Sequence, residues 1–245
     1  NASGTPGSTQ YKPFPVRISG TGANYTQSQY VNKYQEVFLK NFNMTVAGNV
    51  MKWYSNGNAG TTFTSADRWL DWHEDNNIRV RGHTLLWGRG GPGGSREMYD
   101  PEWIENLMEG TASQQEQAKQ AIKTRIQGIV SHYAGRVDEW DFNNELWNGD
   151  KYRKEFDGVT NSRNHNASGD SILKEFADWA IEANPNIKLY HNDYNIITQG
   201  NTNAATSYRN LLIDLRNNHG VPVDGIGVQG HFGSTSVRSQ ASITN

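Results

Sequence analysis

Polar side chains that could do chemistry stand where a predicted strand ends at Glu145. The stretch Val137–Trp147 reads VDEWDFNNELW, and its β-forming residues predict a strand that delivers Asn144 and Glu145 at its carboxyl end. A glutamate held by a strand has the rigidity that a positioned acid or base requires. From this stretch alone, a glutamate that simply leaves a strand for solvent is an equally good interpretation.

Four further predicted strands end in amide, imidazole, ammonium or carboxylate groups. They provide Asn49 and Lys52, His83 with Trp87 four residues later, Asp193 and Tyr194, and Gln229 and His231. In a barrel of parallel strands the carboxyl ends meet at one face, so we expect these groups to share a pocket with aromatic walls. A single histidine among them would more often be structural, but five such strand ends together favour a pocket.

Such a pocket suits a polyhydroxylated ligand, because a sugar hydroxyl both donates and accepts hydrogen bonds and an amide can match it. Cleavage of a glycosidic bond normally requires two carboxyl groups. Glu145 is the candidate acid. Asp193 is either a second catalytic group or a structural hydrogen-bond acceptor, and we favour the structural role.

Composition excludes several classes of function. The chain has 245 residues, a formal net charge of −2 and no basic block, which argues against a nucleic-acid partner. No apolar run approaches the ~20 residues of a membrane span. Cysteine is absent, which excludes disulfides, thiolate catalysis and cysteine-based metal sites. Eight Trp and eleven Tyr favour a carbohydrate ligand only weakly, because aromatic residues also serve in cores.

The sequence also predicts neither a metal nor a cofactor. The segment from Gly88 to Gly93 matches GxGxxG, but Pro92 interrupts it and no helix opens on it, so we expect no dinucleotide site. The sequence contains no zinc, Walker or EF-hand pattern.

Strand and helix patterns alternate along the chain, which predicts parallel β–α units. The predicted strands are Phe14–Ile18, Met44–Ala47, Ile78–His83, the strand from Val137, Ile187–His191 and Val223–Gln229. The predicted helices are Gln27–Asn41, Ser65–Asn76, Ala112–Ala134, Ser171–Asn184, Ala204–Asn218 and an opening turn in Ser236–Asn245. The α/β fold is then either a TIM (β/α)8 barrel, with about six of its eight β–α units visible, or an open doubly wound sheet. We predict that residues 1–12 form a flexible N-terminal tail or linker. We predict that residues 13–245 form a catalytic barrel that is incomplete at its C-terminus.

Five segments occur in the order and at the spacing of a known family. They are NVMKW from Asn49, RGHTLLW from Arg81, WDFNNE from Trp140, NDYN from Asn192 and DGIGVQGH from Asp224. Together they resemble glycoside hydrolase family 10, the retaining endo-1,4-β-xylanases. The resemblance implies a TIM (β/α)8 barrel that hydrolyses xylan or xylo-oligosaccharides with retention at the anomeric centre and without a cofactor.

The resemblance also implies roles for individual residues. Glu145 is the general acid/base, and Asn144 holds the 2-hydroxyl of the sugar that is cleaved. The glycone-side subsites are formed by Asn49, Lys52, His83 and Trp87. Elsewhere in the cleft, Gln229 and His231 support the nucleophile and the sugar that it attacks. Tyr194 lines the side of the cleft opposite to the glycone subsites.

Three departures from the family pattern concern the site. Gly48 stands where the family usually has Glu, and Gly88 where it usually has His. The nucleophilic Glu of the family lies further from the Gln-Gly-His motif than Ile243-Thr244-Asn245 does, so we expect the nucleophile beyond residue 245. These departures keep two alternatives open: a carbohydrate-binding protein on a degenerate barrel, and a retaining hydrolase of another β-glycan. We expect a secreted, monomeric protein, to which a carbohydrate-binding module could be linked outside these residues.

Overall fold

The computed structural model describes residues 27–88, 100–163, 171–197 and 203–231. The helices are α1 (Gln27–Asn41), α2 (Thr64–Asp75), α3 (Glu102–Met108), α4 (Ala112–Tyr133), α5 (Lys151–Asp157), α6 (Ser171–Ala183) and α7 (Ala204–Asn218), with a 3₁₀ turn at Trp53–Asn56. The strands are β1 (Met44–Val46), β2 (Arg79–Leu86), β3 (Glu139–Asn144), β4 (Lys188–Asp193) and β5 (Gly225–Val228). None of the helices in these ranges is long and apolar enough to cross a membrane.

The strands form one parallel sheet in the order β1-β2-β3-β4-β5, which is also their order along the chain. A doubly wound sheet reverses its strand order at a switch point, whereas a barrel adds each strand beside the one before it. The open doubly wound alternative is therefore wrong for the described residues. The predicted strand Phe14–Ile18, the helical turn in Ser236–Asn245 and the tail at residues 1–12 lie outside them.

Successive side chains of a strand point to opposite sides of the sheet. One face of the sheet therefore packs into the hydrophobic core, and the other faces the cavity. In β3, Trp140 and Phe142 are fully buried in the core, and the ring of Trp140 lies 6.2 Å from that of Tyr133 at the end of α4. Gly82 on β2 leaves room for this indole, since a Cβ there would lie 2.2 Å from Trp140 Cε3. Asp141 lies between these two aromatic residues in sequence, so it faces the opposite side of the sheet, where it lines the cavity.

Helix α4 presents the apolar stripe that the sequence predicts, with Ile122, Ile126 and Ile129 fully buried. A capping box fixes its start: Gln114 N donates to Thr111 Oγ1, and Thr111 N donates to Gln114 Oε1 at 2.9 Å. This long helix also carries a buried cation that holds the segment after β1.

Arg125 of α4 is fully buried and ties the segment after β1 to the rest of the fold. Its guanidinium donates to Met51 O at 2.5 Å, Gly60 O at 2.7 Å and Asn56 Oδ1 at 2.8 Å, and also to Thr84 O on β2 at 3.3 Å. Burial lowers the pKa of Arg125 to about 9, which leaves it charged at neutral pH. The segment that carries Asn49 and Lys52 is thereby fixed from behind.

Candidate active site

The carboxyl ends of the strands surround a cavity of about 390 Å³. Its lining residues are Val46, Ala47, Gly48, Lys52, Arg81, His83, Trp87, Asp141, Asn144, Asn192, Val228, Gln229 and His231. Six of the nine predicted site residues are among them: Lys52, His83, Trp87, Asn144, Gln229 and His231. Convergence of distant strand ends on one cavity is the arrangement that the sequence pattern predicts.

Glu145, the seventh predicted residue, joins this group through a hydrogen bond, since Gln229 Nε2 donates to Glu145 Oε1 at 3.0 Å. The residue is buried and has a φ of +63°, in the left-handed region. A non-glycine residue there costs on the order of 1 to 3 kcal/mol and persists only where its surroundings hold it. Two backbone bonds do so: Glu145 N donates to Asn192 O at 2.8 Å, and Gly149 N donates to Glu145 O at 2.9 Å.

Asn144 is held at the floor of the cavity by the neighbouring strand. Its side-chain oxygen accepts a hydrogen bond of 2.6 Å from Asn192 Nδ2, and both side chains are buried. Gly227 on β5 makes this possible, because a Cβ there would lie 2.5 Å from Asn192 Oδ1. The sequence prediction assigned no role to Asn192, although the residue stands one position before the candidate Asp193.

Lys52 and Trp87 form a cationic and aromatic wall. Lys52 Nζ donates to Asn49 Oδ1 at 2.9 Å and lies 4.5 Å from the centroid of the Trp87 ring, a cation–π distance. Asn49, the eighth predicted residue, thus takes part through Lys52. Burial lowers the pKa of Lys52 to about 8, while the charge of Glu145 acts in the opposite direction. This ammonium group is therefore close to its titration range at neutral pH.

The backbone of Trp87 is anchored by a buried carboxyl group. Trp87 N lies 3.3 Å from both oxygens of Asp100, and Asp100 N donates to Trp87 O. Burial raises the pKa of Asp100 to about 7, against the effect of the Trp87 hydrogen bond and of the Arg125 charge. The sequence prediction did not single out Asp100, which stands outside all five motif segments.

His83 is paired with a buried carboxylate that sequence reasoning missed. His83 Nδ1 lies 2.8 Å from Asp141 Oδ2, and Arg81 Nε lies 3.2 Å from Asp141 Oδ1. An imidazole that bonds a carboxylate through Nδ1 carries its proton there, so Nε2 is the nitrogen left for a ligand. The alternation of β3 contained the signal, because Asp141 lies between two core aromatics and must face the other side.

Asp193 is fully buried and accepts three hydrogen bonds, from Trp147 N at 2.7 Å, Asn148 Nδ2 at 2.6 Å and Tyr194 N at 2.8 Å. These contacts agree with the structural interpretation of Asp193. Burial raises its pKa to about 6; the hydrogen bonds oppose this, and the charge of Glu145 adds to it. Tyr194, the ninth predicted residue, adjoins Asp193 and is not among the cavity-lining residues of the described ranges.

The two glycine departures have different surroundings. No described heavy atom lies within 4 Å of the position that a Cβ at Gly48 would take. A Cβ at Gly88 would lie 2.5 Å from Cε2 of Tyr152, whose fully buried ring fills that space. Among the described residues, a side chain at position 48 would therefore meet no clash, whereas one at position 88 would overlap the Tyr152 ring.

The described ranges contain no group of three or more histidine, aspartate or glutamate side chains that could hold a metal ion. The chemistry open to these residues is proton transfer by Glu145 and hydrogen bonding by amides, imidazoles and Lys52.

Residues 14–245 match the family described as Glycosyl hydrolase family 10. The chain is 29% identical over 223 residues to an anti-sigma-I factor of Acetivibrio thermocellus, and the aligned region covers 90% of this chain and 25% of that protein. It is 32% identical over 225 residues to an endo-β-1,4-xylanase of Cellvibrio japonicus, which covers 89% of this chain and 34% of that protein. A crystal structure of a xylanase from Thermotoga petrophila in complex with xylobiose matches with a TM-score of 0.61 and 30% identity, over 82% of this chain and 55% of that one.

The sequential parallel sheet, with a polar cavity at the carboxyl ends of its strands, defines an α/β protein of the barrel class. The chain belongs to glycosyl hydrolase family 10, because the family match spans nearly all of it. The predicted family and the predicted TIM (β/α)8 fold are thereby confirmed, and the described sheet is part of such a barrel. The chain spans between a quarter and just over half of the length of these three relatives.

Proposed function

We propose that the protein is a retaining endo-1,4-β-xylanase and that Glu145 is its general acid/base. The observation that carries this proposal is the placement of Glu145. It is buried at the end of β3, bonded to Gln229 and close to the charge of Lys52, beside a cavity lined by amides and imidazoles. A relative of the same family is named as an endo-β-1,4-xylanase, and another is a xylanase solved with xylobiose.

In the proposed reaction Glu145 first donates its proton to the oxygen of the leaving sugar and then takes a proton from water. A second carboxylate attacks the anomeric carbon in the first step and leaves in the second. Asp141 and Asp193 are unsuited to that task, because both are buried and already engaged: Asp141 by Arg81 and His83, and Asp193 by Trp147 N and Asn148 Nδ2. We assign the nucleophile to a residue outside the described ranges.

The remaining cavity residues position the sugar in this scheme. Asn144 is fixed by Asn192 and offers its amide to the 2-hydroxyl of the cleaved sugar. On the glycone side, His83 Nε2, Lys52 and the Trp87 ring provide a hydrogen-bonding nitrogen, a cation and an apolar face. An extracellular location follows from the size of a polymeric substrate and remains part of the proposal.

The test is substitution of Glu145 by Ala in the whole protein. We expect cleavage of xylan to be lost, while aryl xylobiosides with good leaving groups still form the glycosyl-enzyme, since their departure needs no proton. Azide should then accelerate turnover and give a β-glycosyl azide, because a small anion can replace the water that Glu145 activates. Glu139→Ala, at the opposite end of the same strand, is the matched control and should hydrolyse xylan normally. Unchanged xylan cleavage by the Glu145 variant would contradict the proposal.

A second candidate function is carbohydrate binding without turnover. One relative at 29% identity is named an anti-sigma-I factor rather than a hydrolase, and Gly48 presents no side chain to the cavity that it lines. Calorimetric binding of xylohexaose by the whole protein, without release of reducing ends from xylan, would favour this candidate. Hydrolysis of a mixed-linkage glucan in preference to xylan would instead identify another β-glycan as the substrate.

A further inference from the structure

The turn that carries Glu145 is held from one side by a single buried carboxylate. The turn runs from Glu145 to Asn148 directly after β3, and Glu145 takes its positive φ there. Asp193 at the end of β4 accepts from the backbone of the third residue, Trp147, and from the side chain of the fourth, Asn148. The carboxylate of one strand thereby fastens the turn of the neighbouring strand.

The contacts of Asp193 use both of its oxygens. Oδ2 accepts from Trp147 N at 2.7 Å, and Oδ1 accepts from Asn148 Nδ2 at 2.6 Å and from Tyr194 N at 2.8 Å. All three partners are donors, which a carboxylate can satisfy but an amide cannot, since an amide has only one accepting atom. The side chain is fully buried, so water cannot replace a lost partner.

The charged surroundings are consistent with an ionised Asp193 at neutral pH. Its three hydrogen bonds favour the ionised form, and burial and the charge of Glu145 oppose it. Burial and the charge of Asp193 raise the pKa of Tyr208, whose hydroxyl donates to His191 O, and the charge of Glu145 acts on Lys52. Asp193 is not among the cavity-lining residues, so its action on a substrate must pass through the turn.

We propose that Asp193 is a positioning residue that holds the carboxyl group of Glu145 at the place where it can protonate a leaving oxygen. This inference rests on the proposed function of Glu145 and adds a third constraint, through the turn, to the two backbone bonds that hold Glu145 itself. Loss of this constraint should displace the acid while the sugar-binding residues of β1, β2 and β5 stay in place.

The experiment compares Asp193→Asn and Asn148→Ala in the whole protein on two substrates. Xylan has a poor leaving group and needs the proton of Glu145, whereas a dinitrophenyl xylobioside does not. Asp193→Asn cannot accept from Trp147 N and from Asn148 Nδ2 at the same time, so we expect kcat on xylan to fall by about a hundredfold, the scale of a misplaced catalytic group. On the aryl substrate we expect the rate of glycosyl-enzyme formation to fall by less than about threefold. Asn148→Ala keeps the carboxylate and its bond to Trp147 N but removes the side-chain contacts of Asn148 with Asp193, Tyr194 O and Arg163, so its loss should be smaller and in the same direction.

Asp138→Asn is the matched control. Asp138 Oδ1 also accepts two hydrogen bonds, from Gly135 N and Asn184 Nδ2, but at the opposite end of β3. This variant keeps an accepting oxygen for both donors, and it should leave the ratio of the two rates unchanged.

Equal losses on xylan and on the aryl substrate would overturn the proposal, because they indicate a general structural role. Unchanged rates would overturn it as well. If Asp193→Asn does not fold, the ratio of rates in Asn148→Ala decides alone. The absence of xylan cleavage in the unmodified protein would instead count against the proposed function, so the two failures are distinguishable.

Discussion

Gln229 reaches Glu145 across the cavity, with its Nε2 atom 3.0 Å from Glu145 Oε1. The two residues are 84 positions apart in sequence and follow β5 and β3, which are not neighbours in the sheet. Between them β4 supplies Asn192, whose carbonyl accepts from Glu145 N. The candidate acid is thus held by the ends of three strands, and its position depends on the curvature of the sheet rather than on its own strand alone.

Replacement of Gln229 by Ala should lower kcat/KM on xylan by about tenfold to a hundredfold. Loss of this bond lets the catalytic carboxyl group move, and a misplaced catalytic group can cost up to about a hundredfold in rate. Steady-state kinetics on soluble xylan measure the effect. Gln127→Ala is the control. In the described structure the Gln127 amide donates to Glu182 on the helical surface, away from the cavity. Full activity of the Gln229 variant would show that the contact does not serve Glu145.

Lys52 makes the stability of the fold depend on pH in the alkaline range. Burial lowers its pKa to about 8 in the folded protein, against 10.5 in the unfolded chain. Between these values the unfolded state binds more protons, so the free energy of unfolding rises with pH, by an amount on the order of 2 to 3 kcal/mol. Lys52→Met should remove this rise. Urea unfolding of both proteins at pH 8 and pH 10.5 tests it, and equal slopes against pH would contradict the assignment.

Lys52 should also affect substrate binding in the same pH range. Above about pH 8 its ammonium group loses its proton, and KM for xylo-oligosaccharides should then rise. Lys52→Arg keeps its charge because a guanidinium titrates above pH 12, so this variant should show no such rise. A rise of equal size in both proteins would assign the effect to another group.

Asp100 gives the opposite pH dependence on the acidic side. Its folded-state pKa is raised to about 7 by burial, above the 3.8 of the unfolded chain. Between these values the folded state binds more protons, so stability is highest below pH 4 with respect to this group and is lost as pH rises through 7. Asp100→Asn should therefore gain stability over the unmodified protein between pH 4.5 and pH 7.5, by an amount on the order of 2 to 4 kcal/mol. Denaturant unfolding of both proteins at pH 4.5 and pH 7.5 measures the difference between their free energies of unfolding. The same difference at both pH values would refute the prediction.

Much of the fold was predictable because its long elements carry clear periodic patterns. Helices α1 and α7 have the predicted bounds, and α4 ends one residue earlier than predicted. Helices α3 and α5 were missed because seven residues make only two turns, too few for an apolar period to be recognised. Strand ends differed by a few residues, as for β3, which begins at Glu139 rather than Val137.

The site was predictable where a strand itself fixes the side chain. Asn144 ends β3 and Gln229 directly follows β5, whereas β2 continues three residues beyond His83, where the predicted strand ended; the parallel sheet still brings all three side chains to one cavity. Tyr194 follows β4 in a bend, where the alternation of the strand no longer fixes the direction of a side chain. The positioning contacts of Asp193 and Asp100 were not predictable in detail, because they join residues whose proximity is set only by packing.

Gly88 and Tyr152 should show strong energetic coupling. A Cβ at Gly88 would overlap the Tyr152 ring, so Gly88→Ala alone should cost about 1 to 3 kcal/mol through overpacking. Tyr152→Ala alone should cost about 3 to 5 kcal/mol through the cavity that it leaves. In the double variant the new methyl group enters that cavity, so the total cost should be lower than the sum of the two. Gly48→Ala is the control, because its Cβ meets no described atom and should change stability by less than about 0.5 kcal/mol. If the costs of Gly88→Ala and Tyr152→Ala add strictly in the double variant, the Tyr152 ring is not the reason that position 88 requires glycine.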